Sequence, residues 1–112
     1  MGSTKEIKKE VDLLESNSKK IHRLFRLSLA ADGISRFAGK SRGFEESLRG
    51  LALDARALLW EVQRNRSDGA RRGGALEWDG VAARIDLLVN DLVAGADAVG
   101  GLAELAEEEV KK

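Results

Sequence analysis

Residues 34–66, ISRFAGKSRGFEESLRGLALDARALLWEVQRNR, place Ile34, Phe37, Ser41, Phe44, Leu48, Leu51, Ala55, Leu58 and Val62 on one stripe, in steps of three and four. Steps of that size bring side chains to one face of an α-helix. The phase does not slip across Gly39, Gly43 and Gly50, which predicts one unbroken helix, because a loop normally resets the register. A competing reading breaks the chain at Gly39-Lys40-Ser41-Arg42-Gly43 and starts a shorter helix at Phe44. Either helix is expected to end near Arg66, before the cap and turn residues Ser67-Asp68-Gly69.

The flanking segments follow the same rule. Ile7, Val11, Leu14, Ser18, Ile21, Phe25 and Ser28 form the first stripe, with Lys8, Lys9, Asp12, Lys19 and Arg23 on the other side. Ser3 or Thr4 is the expected N-cap, and Asp32-Gly33 the stop, with Gly33 in the left-handed conformation, so helix one is predicted over about residues 4–31. The third stripe is Trp78, Val81, Ile85, Leu88, Leu92, Gly95 or Ala96, Val99, Leu102 and Ala106. Its start is ambiguous between Asp68 and Asp79 as cap, and its last turn, Glu107 to Lys112, reads as solvated. No strict alternation or β-branched run marks a strand. The expectation is an all-α protein, an antiparallel bundle of three long helices in one domain over 1–112. Breaks at Gly39–Gly43 or Gly95–Gly101 would make it a four-helix bundle.

Composition removes several function classes. The chain has 112 residues, 19 basic and 19 acidic side chains, one His, no Cys, no Pro and 12 Gly. Without cysteine there is no disulfide framework or thiolate chemistry, and one histidine excludes a multi-histidine zinc site. Zero net charge argues against nucleic acid as a partner. No apolar run approaches a membrane span and no signal-peptide core follows Met1, so membrane partners are not expected and cytoplasmic, recombinant expression is. Formal charge divides as +3, +2 and −5 over residues 1–31, 32–66 and 67–112, a pattern that suits an acidic helix lying beside two basic ones.

No nucleophile elbow, phosphate loop, calcium loop or zinc-protease motif occurs, and Gly39-Lys40-Ser41 lacks the glycine at position 34 that a phosphate loop needs. Any activity would have to come from a bound cofactor. The glycines need a reason, since Gly39, Gly43, Gly50, Gly95, Gly100 and Gly101 inside helices sacrifice roughly 5 kcal/mol relative to Ala. Helix lengths place His22 at the level of Gly43. On helix three the same level falls beside Gly95, or beside Gly100 and Gly101 if that helix starts at Asp79. The lone imidazole therefore lies in a glycine-rich layer. One histidine, apolar and aromatic walls, and space are what an axially ligated flat macrocycle requires. The candidate cofactor is haem or a synthetic porphyrin, with His22 as metal ligand and Ser18, Phe25, Gly43, Asp54 and Asn90 around it. The bland alternative makes His22 a boundary residue of a ligand-free structural or oligomerising bundle, monomer or homodimer, with Asp54 exposed or paired to an arginine. Leu53, Ala57 and Trp60 form a second apolar strip on helix two, the mark of a central helix or of one that faces a partner chain.

Two resemblances follow. Absent Cys and Pro, a Met-Gly-Ser start, unbroken heptads, and the ends Lys5-Glu6-Ile7-Lys8-Lys9-Glu10 and Glu107-Glu108-Glu109-Val110-Lys111-Lys112 make the whole chain resemble a de novo designed helical bundle. That resemblance implies a small-molecule planar ligand such as a porphyrin. Over residues 44–110, Leu76-Glu77-Trp78-Asp79-Gly80-Val81-Ala82-Ala83 is similar to the Trp-x-Gly turn of helical-hairpin proteins of type VII secretion. It implies a turn at Trp78–Gly80 between helices 34–66 and 79–111, and an interaction protein. The Tyr-based export signal of that family is missing, because the chain has no Tyr.

Overall fold

A computed structural model describes residues 4–70 and 75–112, and the side chains of 4–66 and 77–112. Three helices pack against one another: α1 (Thr4–Ala31), α2 (Ile34–Ala70) and α3 (Ala75–Lys111). No strand occurs among the described residues. The helix over 34–66 is unbroken, as its phase predicts, and runs four residues further. Gly39, Gly43 and Gly50 are all inside it, and Gly95, Gly100 and Gly101 are all inside α3, so neither break of the four-helix alternative occurs. α3 begins between the two starts considered, at Ala75. Trp78, Asp79 and Gly80 are helical rather than a turn, and the α2–α3 connection at 71–74 lies outside the described residues.

The α1–α2 link differs in detail from its expected cap. Gly33 does not take the left-handed conformation. Its carbonyl accepts the Phe37 amide at 2.9 Å, so Gly33 opens α2 instead of closing α1, while the Asp32 amide donates to the Ser28 carbonyl at 2.9 Å. Asp32 Oδ2 accepts from Ser28 Oγ at 2.6 Å and from Lys40 Nζ at 3.0 Å. These hydrogen bonds, Ser28 first and Lys40 second, hold the Asp32 carboxyl below its ordinary range.

The core is built chiefly between α2 and α3. Leu48, Ala52, Ala55, Leu58 and Val62 meet Val81, Ile85, Leu88, Val89, Leu92, Ala96 and Val99, and α1 adds only Ile7 and Val11 to the fully buried cluster. Each fully buried Leu, Ile or Val contributes about 1.5–3 kcal/mol. Leu14, Ile21 and Phe25 pack on this core half-buried. Ion pairs lace the edges: Arg66 with Asp79, Arg49 with Asp97 and Arg42 with Glu107, residue numbers falling along α2 as they rise along α3. Arg84 bridges Asp12 and Glu15 of α1. No described helix is long and apolar enough to cross a membrane.

Candidate functional site

His22 is carried by α1 one turn after Ser18 and three residues before Phe25, and all three are half-buried. Its imidazole reaches across to α3. A Cβ built at Gly95 would lie 2.8 Å from His22 Cε1, 3.2 Å from Nε2 and 3.7 Å from Leu48 Cδ1. Real side chains do not come that close, so the missing methyl at Gly95 is what lets the ring sit there. Of the levels considered on helix three, the one beside Gly95 is occupied.

Below this seat, Phe25 ties α1 to α2. Its ring lies 5.7 Å from Phe37, tilted, and 6.0 Å from Phe44, edge to face. Gly43 does not share the His22 seat. It lines a neighbouring groove of about 670 Å³ between α1 and α2, with Leu24, Leu27, Gly39, Lys40 and Phe44. Nothing stands within 4 Å of a Cβ added at Gly39, Gly43 or Gly50. Asp54 and Asn90 are exposed. They are six residues from Leu48 and five from Gly95, roughly 9 and 7.5 Å along their helices, so neither joins the imidazole. Among the described residues no three His, Cys, Asp or Glu side chains gather as a metal site.

One cluster escapes the sequence reading. Gly100 seats the Glu45 carboxylate as Gly95 seats His22: a Cβ there would lie 2.7 Å from Glu45 Oε2. Glu45 accepts from Arg42 at 2.8 Å and from Arg49 at 2.7 Å, and these guanidinium hydrogen bonds hold its carboxyl below the ordinary range. Arg42 and Arg49 also reach Glu107 and Asp97 on α3. The signal was the spacing Arg42, Glu45, Arg49 on one helix edge, which sequence alone reads as a solvated charge run.

The arrangement offers one interior nitrogen base on the more loosely packed helix, facing a side-chain-free patch of the opposite helix, with Leu48 beside it and aromatic rings one turn away. No protein-family model, curated protein or solved structure matches the chain.

Proposed function

We propose that the chain is a single-domain, antiparallel three-helix bundle of designed type that binds a flat aromatic ligand, and that the ligand is a haem-type porphyrin held by His22. The observation that carries this reading is the imidazole turned inward onto Gly95. In the ligand-free protein the ring itself fills the space that the glycine leaves. A flat ligand entering there would need α1 to move outward by about the thickness of an aromatic ring, and His22, Gly95 and Leu48 would then be the residues that hold it. The packing supports such a movement, because only Ile7, Val11 and Ser28 of α1 are fully buried, whereas α2 and α3 hold each other along their lengths.

The residues fit the donor set of a singly ligated haem: one imidazole, with Leu48 and Phe25 as apolar neighbours. When bound, the macrocycle would supply redox chemistry or an open coordination position, and the chain would supply orientation and exclusion of water. Ser18 and Phe25, on either side of His22 along α1, are the residues that would hold the ligand together with it. Asp54 and Asn90 stand outside this reading.

Titration with haem, followed at the Soret band, tests it. The expected result is saturable one-to-one binding that His22→Ala abolishes and that Asn90→Ala leaves unchanged. An unaltered spectrum, or equal binding by His22→Ala, overturns the assignment. A second reading, a helical-hairpin interaction protein built on α2 and α3, is supported by the core, since those two 37-residue helices contribute most of it. It predicts that a chain lacking residues 1–33 stays helical and cooperative in circular dichroism melts.

A further inference from the structure

The outer face of α2 is unpartnered along most of its length. Gly39, Gly43, Gly50, Leu53, Ala57 and Trp60 are all exposed. At 3.6 residues per turn they fall within an arc of roughly 100°. Leu53 and Trp60 are 65% and 63% exposed, and Arg64 stacks on the Trp60 ring at 5.1 Å. Among the described residues a Cβ added at any of the three glycines would meet nothing within 4 Å, and Gly39 and Gly43 also edge the groove beside Leu24 and Leu27 of α1. The stripe thus carries bulk toward its C-terminal end and hollows toward its N-terminal end.

We infer that this face is the interface of a homodimer, in which α2 packs on α2 of a second copy in antiparallel register, centred near Leu51. Reversal about that centre sets Trp60 opposite Gly43 and Leu53 opposite Gly50, so that each knob enters a hollow where a backbone can approach closely. Within one residue of that centre Glu46 falls opposite Arg56 on one edge and Lys40, which also holds Asp32 of its own chain, falls opposite Glu61 on the other. Among the described residues Glu46, Arg56 and Glu61 make no ion pair within their own chain. Shape and charge therefore select one register. Parallel pairing would put Trp60 on Trp60 and Glu46 on Glu46, and an unrelated partner helix would leave the agreement of all four pairs without a cause. The surface lies on the outside of α2, away from the His22 seat, and the inference does not depend on porphyrin binding.

The chain has no native cysteine, which permits a direct test on the ligand-free full-length protein. Sedimentation over roughly 1 µM to 1 mM is expected to show a monomer–dimer equilibrium, weakened at least tenfold by Trp60→Glu and by Gly50→Leu. Both positions are exposed, so circular dichroism and melting should remain those of a folded bundle. For register, Gly50→Cys near the centre should cross-link to itself on oxidation with copper phenanthroline. Gly39→Cys should not, since reversal places the two copies of that residue roughly 36 Å apart. A monomer at every concentration, a dimer indifferent to both substitutions, or cross-linking through Gly39→Cys overturns the proposal.

Discussion

Replacing Gly95 with alanine, in the wild type and again in His22→Ala, isolates the contact on which the candidate site rests. In an exposed helix interior the exchange stabilises by about 0.8–1 kcal/mol through helix propensity. At Gly95 the new methyl would meet His22 Cε1 at 2.8 Å, so the ring must withdraw by most of an ångström. Overpacking of that kind costs on the order of 1–3 kcal/mol, and the low end applies because the half-buried ring belongs to the more weakly held helix. Net stability in the wild type should therefore range from unchanged to about 2 kcal/mol lower. In His22→Ala the nearest of these contacts left is Leu48 Cδ1, at an ordinary 3.7 Å, and the full propensity gain should return. Urea unfolding followed by circular dichroism gives the four stabilities of the cycle, with an expected coupling of about 1–3 kcal/mol. If the two substitutions add within about 0.5 kcal/mol, Gly95 is not the seat of His22 and the argument for a slot at this level fails.

The neighbouring glycines give a contrast within one helix turn. Gly101→Ala, which meets nothing within 4 Å, should stabilise by about 0.8–1 kcal/mol. Gly100→Ala should return near zero, because the methyl displaces the Glu45 carboxylate from Arg42 and Arg49, surface pairs worth about 0.2–1 kcal/mol each. Acid should act on the same carboxylate. Glu45 and Asp32 titrate below their ordinary values of 4.5 and 3.8 when folded, so their contribution is complete above those values and is lost as pH falls through the lower folded ones. Melting temperature should decline below about pH 4.5, less steeply in Glu45→Gln and in high salt. Asn65 is buried and its Nδ2 has no hydrogen-bond partner among the described residues, so Asn65→Leu should raise stability by about 1–3 kcal/mol in the same urea assay; a loss would place a further acceptor at that amide.

The three helices were legible because a stripe repeating every three or four residues has no other economical solution than a buried helix face. Its finer detail was not. Leu102 was expected inside but is exposed, while Gly100 and Ala103 are buried; in α2, Ala52 is buried beside a half-buried Leu51. A strict seven-residue repeat drifts by about 20° per heptad on a straight helix. Over 37-residue helices that drift carries the inner face from one set of positions to the next. Small residues end up inside at the ends of the seam, where sequence reasoning had put a leucine. For the first stripe the pattern overstated burial. Ser18 and Ile21 face inward but stay half-buried, because α1 lies on an α2–α3 pair that already closes most of its own core.

The glycines show what composition leaves out. A level argument along parallel axes offered the layer beside Gly95 as one of two for His22, since helix rise is constant and both helices are continuous between their ends, and the imidazole lies at that one. The same arithmetic failed for Gly43, because matching height says nothing about which way a residue faces around the helix, and Gly43 turns to the groove beside Leu24 and Leu27. Gly100 was invisible for a third reason: its partner is a carboxylate whose position is fixed by two arginines, and charged residues at helical spacing carry no inward signal. Five residues of one type thus answer to different causes. Gly95 admits a ring, Gly100 admits a carboxylate, and a Cβ at Gly39, Gly43 or Gly50 would meet nothing within 4 Å among the described residues. A cost of roughly 2.5–3 kcal/mol at those last three, uncompensated within the monomer, is the physical reason to look for their partner outside it.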